Sequence, residues 1–232
     1  MLWLDEYERA ARLAPGMLAS LPLPILIAVF GVKHNPVVAA GISLVVAAGG
    51  PLVLAKYVRA RGRALEARLK EEWGGPPTTL LLLPAKDNDL VRRQRRASLE
   101  AVSGVALPNE HTIEAGQICE AAVTTLRQRT YDRGTYPLVF AENKSYGFER
   151  NTLAVRREAL GFCAAGLIIA ATGLTAAASH HLHVSTTAVG IGCVANLALL
   201  AFWIVWPTSE RVRDAGDLYA AQLLDAAGTL TT

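Results

Sequence analysis

Three histidines within four positions, His180, His181 and His183, are the nearest approach to a metal cluster in the chain. His180 and His183 stand at i and i+3, so a helix end would bring both imidazoles together, a pairing that suits zinc or copper or a pH response. No carboxylate stands close to them in sequence, and a polar turn at a membrane interface accounts for the same residues. The segment 142–151 is the densest mixture of polar and aromatic residues. Glu142, Asn143, Tyr146 and Arg150 would give a ligand pocket an acceptor, an amide, a ring and a guanidinium; the same groups would also make a buried polar joint. Arg92, Arg93, Arg95 and Arg96 form a basic patch that suits an acidic ligand, a nucleotide, a lipid head group or a protein partner, and equally a solvated helix face. A hydrolase needs a nucleophile, a base and a group that orients the base. His111 sits on a Pro-containing loop with no recognisable partner, so no catalytic residue is assigned. There is no Gly-rich phosphate loop, and no cofactor is expected.

The elements that must position these groups are dominated by apolar runs. Four are present: roughly Met17–Val32, Pro36–Ala55, Ala159–Ala178 and Thr186–Trp206. None of the four contains Asp, Glu, Lys or Arg, and about twenty apolar residues cross a ~30 Å hydrocarbon core as a helix. The expected fold is an all-α membrane protein with four transmembrane helices in a 2 + 2 arrangement and a small, mostly helical cytosolic insert. Its parts are an amphipathic N-terminal segment 1–16, a first helix pair 17–56, the insert 57–158, a second pair 159–206 and a C-terminal amphipathic helix and tail 207–232.

Orientation follows from Lys and Arg near the span ends. The link after the first span holds only Lys33, and the link Ser179–Ser185 holds none. Arg9, Arg12, Lys56, Arg59, Arg61, Arg63, Arg156, Arg157, Arg211 and Arg213 gather on the other side. The insert and both termini are therefore expected in the cytosol. The net charge of +3 needs no nucleic acid; anionic lipid is enough. The three cysteines, Cys119, Cys163 and Cys193, form no disulfide framework and read as small apolar residues.

Within the insert, a stripe at Leu54, Val58, Leu65, Leu69 and Trp73 carries the second span on as a helix, with Gly62 on the same side, until Gly74-Gly75-Pro76-Pro77 ends it. Thr78–Leu83 reads as a short strand or extended segment, since continuous apolar character on so short a run does not separate helix from strand. Helices are expected from about Asp87 to Val102 and from Ile113 to Tyr131, with a loop over Val105–His111, and Pro137 suits a first helical turn. The tail carries a stripe at Val212, Ala215, Tyr219, Leu223 and Ala226 that could pair with the extension of the second span.

One resemblance rests on two stretches: Pro77-Thr78-Thr79-Leu80-Leu81, and Tyr136-Pro137-Leu138-Val139-Phe140-Ala141-Glu142-Asn143 continuing to Tyr146-Gly147-Phe148 and Arg150-Asn151. Over the insert and the start of the third span the chain resembles a group of bacterial membrane proteins with a YPLVFAENxxYGFxRN-like segment. It departs from them at Glu149, where the group has Arg, which alters the local charge balance. The resemblance implies a bacterial origin and carries no reaction with it.

Inside the spans, Pro22 and Pro24 in the first and Gly49-Gly50-Pro51 in the second interrupt helix hydrogen bonding at similar depth. They suit packing kinks or a membrane hinge. Gly161-xxx-Ala165, Gly166-xxx-Ala170 and Gly173-xxx-Ala177 allow close helix approach. Asn196 is the most polar residue in a span, placed to join helices or line a pore. The absence of intramembrane carboxylates disfavours proton-coupled transport. The expected partners are the lipid bilayer, further copies of the chain, and a cytosolic protein or acidic small molecule. The functional expectation is a homo-oligomer whose cytosolic part regulates or assembles the membrane part, with a pore or membrane perturbation as output. A scaffold that recruits a cytosolic partner, and a membrane enzyme or metal-binding protein, are the alternatives.

Overall fold

The structure, a computed structural model, describes residues 5–30, 40, 41, 43, 44, 49–83, 89–110, 112–178 and 185–231. Much of the second apolar run, the turn holding His180 and His183, and the expected helix start at Asp87 lie outside these residues. Among the described residues every regular element is a helix. After a π-helical turn, Glu8–Leu13, come α1 (Ala14–Ser20), α2 (Pro22–Val29), α3 (Gly50–Trp73), α4 (Pro77–Leu82), α5 (Asp89–Ser103), α6 (Ile113–Arg129), α7 (Pro137–Ala154), α8 (Arg156–Ala178), α9 (Thr186–Val205) and α10 (Ser209–Leu230).

Two compact units are built from these helices. One comprises Met1–Arg63 and Phe148–Thr208, the other Ala64–Gly147 and Ser209–Thr232. The helices α3 and α7 each contribute to both. The second unit thus takes in α10, which the sequence sets apart as a tail.

The first unit holds the apolar helices. Arg156–Ala176 and Thr186–Val205 are long and apolar enough to cross a membrane. Glu8–Ser20 and Pro22–Val29 qualify as one more span only when joined across a bend of 42°. Pro22 and Pro24 explain the bend, because proline withholds an N–H and its ring crowds the preceding turn. Gly49 adopts φ +87°, in the left-handed region, immediately before α3 starts at Gly50. The interior of this unit is Ala19, Val58, Val155, Ala159, Cys163 and Trp203. Ile168, Ile191, Val194 and Val205 are each about two-thirds exposed or more on the apolar helices, the pattern of helices whose outer faces meet lipid.

The second unit has its own core, including Leu82, Leu99, Cys119, Leu126, Leu223 and Leu224. The end of α3 is a Schellman motif: Gly75 N–H donates to Lys70 O at 2.8 Å and Gly74 N–H to Glu71 O at 3.2 Å. Gly74 and Gly75, at φ +78° and +147°, supply the conformations that turn requires. Thr78–Leu83 is not a strand. Pro77 occupies the first turn of α4, and the N–H groups of Thr79 and Leu80 both reach Pro76 O at 3.0 Å. A proline preset at the start of a helix outweighs the β-branched threonines that follow it. Thr112 caps α6 by accepting from Ala115 N–H at 3.1 Å.

Candidate functional site

The polar segment of α7 divides between the two units. Glu142 and Asn143 are half-buried, and Tyr146 is buried. In the second unit Tyr146 stacks on Tyr219 of α10 with ring centres 6.2 Å apart and planes 6° apart. The approach of α10 depends on Gly216: a Cβ there would lie 3.2 Å from the Tyr146 ring and from Pro77. A cavity of about 20 Å³ beside these rings is lined by Glu66, Lys70, Pro77, Arg127, Tyr146 and Tyr219, room for little more than one water. Of Glu142, Asn143, Tyr146 and Arg150, Tyr146 is the one that lines this cavity.

Arg150 and Asn151 belong to the first unit. Both are buried, Asn151 completely. Asn151 Nδ2 donates to the carbonyl of Ala11, and Arg150 Nε lies 3.4 Å from Asn151 Oδ1. They pack over Gly62 of α3 so closely that a Cβ at Gly62 would stand 1.8 Å from Asn151 Oδ1 and 3.4 Å from Arg150 Nε. A polar knot thus joins the π-helical turn, α3 and α7. Asn151 and Gly62 are the residues that the sequence leaves unassigned; an isolated glycine in the Leu54–Trp73 stripe is the signal that could have found them.

A second polar anchor stands at the end of α9. Arg156 donates from Nε to Trp203 O at 2.8 Å, from one terminal nitrogen to Ile204 O at 2.7 Å and from the other to Pro207 O at 3.3 Å. A guanidinium there satisfies carbonyls that the helix end leaves unpaired and complements the negative end of the helix dipole. Nearby, Glu158 accepts from Tyr57 Oη at 2.8 Å and pairs with Arg61 at 2.9 Å. The hydrogen bond to Glu158 comes first among the causes that raise the Tyr57 phenol above its ordinary value.

Asn196 is completely buried where three helices meet. Its Nδ2 donates to Gly192 O at 3.0 Å, while its Oδ1 has no partner among the described residues. A Cβ at Gly166 would lie 2.8 Å from that Oδ1 and 3.5 Å from Pro22. At Gly173 a Cβ would meet the Phe30 ring at 2.4 Å, whereas at Gly161 it would meet nothing within 4 Å. The close approach that Gly166 and Gly173 permit is used within the chain.

The basic patch is not a solvated face throughout. Arg96 is only 8% exposed and donates to Leu82 O at 2.9 Å, Leu107 O at 2.6 Å and Pro108 O at 3.1 Å. Arg95 makes a two-pronged pair with Asp225 of α10, at 2.7 and 3.1 Å. Arg92 and Arg93 line a cleft with Arg96, Glu100, Leu107 and Asn109. Burial raises the Cys119 thiol, with the Arg96 charge pulling the other way. No group of three or more metal-ligating side chains occurs among the described residues.

No protein family, curated protein or solved structure matches this chain. Among the described residues the chain is all-helical, and two of these helices are long and apolar enough to span a membrane.

Proposed function

We propose that the chain is a multi-pass protein of a bacterial inner membrane, with four spans in a 2 + 2 arrangement, that assembles with further copies of itself. Its 57–158 insert and both termini lie in the cytosol, and the insert regulates or assembles the membrane part, whose output is a pore or a perturbation of the bilayer. The observation that carries the membrane reading is the pair of apolar helices, Arg156–Ala176 and Thr186–Val205, with Ile168, Ile191, Val194 and Val205 facing outward. The regulatory part of the reading draws on α3 and α7: each helix contributes to both compact units, so a change in one unit has a continuous helical route to the other.

Cysteine labelling of intact cells tests the topology. Cysteines placed at His34 or His183 should react from outside; those at Glu72, Ala106 or Leu230 should not. Labelling of Ala106 from outside overturns the orientation. Conductance of proteoliposomes then tests the pore, and the mass of the particle in lipid nanodiscs tests self-association. A scaffold that recruits a cytosolic protein is the second reading, favoured by the exposure of Ile113, Tyr131, Leu138 and Leu218 in the second unit; recovery of one defined partner together with silent liposomes would select it.

A further inference from the structure

The cleft beside α5, about 550 Å³ in volume, is of the size that takes a small charged ligand. Arg92, Arg93 and Arg96 line it from α5, Glu100 lies one turn beyond, and Leu107 and Asn109 face them from the loop. Arg96 builds the site rather than merely facing it. By donating to Leu107 O and Pro108 O it draws the loop onto α5, and by donating to Leu82 O it fixes α4 behind them. Glu100 completes the attachment by accepting from Leu107 N–H at 2.7 Å. Asn109 is thereby held across from Arg92 and Arg93. Three arginines against one carboxylate leave the lining positive. Arg92 and Arg93 also stand near the N-terminal end of α5, where the helix dipole disfavours cations and favours an anion. Both have partners within the chain, so an incoming anion exchanges them for charge-assisted bonds of its own.

We propose that this cleft binds a phosphate-bearing anion. Arg92 and Arg93 supply forked donors to the phosphate oxygens, Asn109 supplies an amide N–H, and Arg96 supplies fixed positive charge from behind. The phosphate is either that of a soluble ester or that of an anionic phospholipid head group. The inference deepens the regulatory reading above by naming the ligand class. Binding is measured separately from conductance, so either can fail alone.

The experiment uses the full chain in nanodiscs. Pyrophosphate is titrated calorimetrically in discs of phosphatidylcholine, and thermal stability is compared between discs of phosphatidylcholine alone and discs that also contain phosphatidylglycerol. Arg92→Gln/Arg93→Gln should weaken pyrophosphate binding or remove the phosphatidylglycerol stabilisation, with a loss of roughly tenfold to a hundredfold in affinity for one to two charge-assisted bonds. Arg127→Gln/Arg129→Gln, an equal loss of charge on α6, should leave both unchanged. If the first double variant is misfolded, Arg93→Gln and Asn109→Ala singly take its place. Saturable pyrophosphate binding assigns a soluble phosphate, and stabilisation by phosphatidylglycerol alone assigns a lipid head group; either supports the site. Failure of both probes with the wild-type chain, or equal responses in wild type and the Arg92/Arg93 variant, overturns it.

Discussion

Replacing Gly62 by alanine should destabilise this protein, although the same change at an ordinary helical glycine stabilises. In a helix interior alanine is favoured over glycine by about 1 kcal/mol. At Gly62 the new Cβ would stand 1.8 Å from Asn151 Oδ1, far inside contact distance, so the amide must move. Asn151 is fully buried and holds the Ala11 carbonyl. Displacing it leaves buried polar groups unpaired, at about 1–3 kcal/mol, and forces the packed Arg150 to shift, at about 1–3 kcal/mol more. Set against the gain in helix propensity, the net loss is about 1–5 kcal/mol. Gly116 in α6 is the control: nothing lies within 4 Å of a Cβ there, so Gly116→Ala should stabilise by up to about 1 kcal/mol. The two changes should move the unfolding midpoint of the detergent-solubilised chain in opposite directions. Asn151→Ala removes the obstacle, so Gly62→Ala made on top of it should be neutral or stabilising, giving a coupling at least as large as the loss from Gly62→Ala alone. An increase in stability from Gly62→Ala alone, matching that of Gly116→Ala, would refute the steric argument.

Three further outcomes are expected. Arg96→Ala should cost about 3–5 kcal/mol by leaving a set of buried carbonyls unpaired, while Arg95→Ala, which breaks a partly exposed ion pair with Asp225, should cost less than about 1 kcal/mol; thermal unfolding separates them. Arg156→Ala should loosen the end of α9, and Trp203, whose carbonyl Arg156 holds, should report it as a red shift of tryptophan emission, with Arg156→Lys intermediate because an ammonium cannot span three carbonyls at once. Asp132 is held below the usual carboxylate range, first by the Thr135 hydroxyl and then by the Gly134 N–H. Its contribution is therefore present above the ordinary aspartate range and lost as pH falls through its lowered value. The stability difference between wild type and Asp132→Ala should be constant at neutral pH and shrink on acidification; a difference that grows in acid would show that the loop does not favour the charged form.

The parts of this fold that could be read from sequence are those with local causes. The stop at Gly74-Gly75-Pro76 and the start at Pro137 follow from backbone chemistry within a few residues, and the structure has helix boundaries at both. Thr78–Leu83 was ambiguous by periodicity, although Pro77 at the head of the segment held the answer. The polar knot was illegible for a different reason: Asn151 and Ala11 are 140 residues apart, and no local pattern joins an amide to a backbone carbonyl at that distance. Arg96 posed the same problem in reverse. In a run of four arginines it looks like the rest, and only its carbonyl partners, brought from α4 and the 107–108 loop, distinguish it from a solvated charge.

The composition of the second unit has a consequence for biosynthesis. Its core needs Leu223, Leu224 and Ala227 from α10 packed among Leu82, Leu99 and Leu126, yet α8 and α9 are translated in between. While the ribosome makes those apolar helices, α4, α5 and α6 already exist with one side of their core uncovered. That surface must wait, shielded by a chaperone or by the bilayer, until the last helix emerges. A fragment covering 64–147 reproduces this waiting state rather than the finished unit. A chain cut before Ser209 keeps every apolar helix described here and still leaves the second unit open.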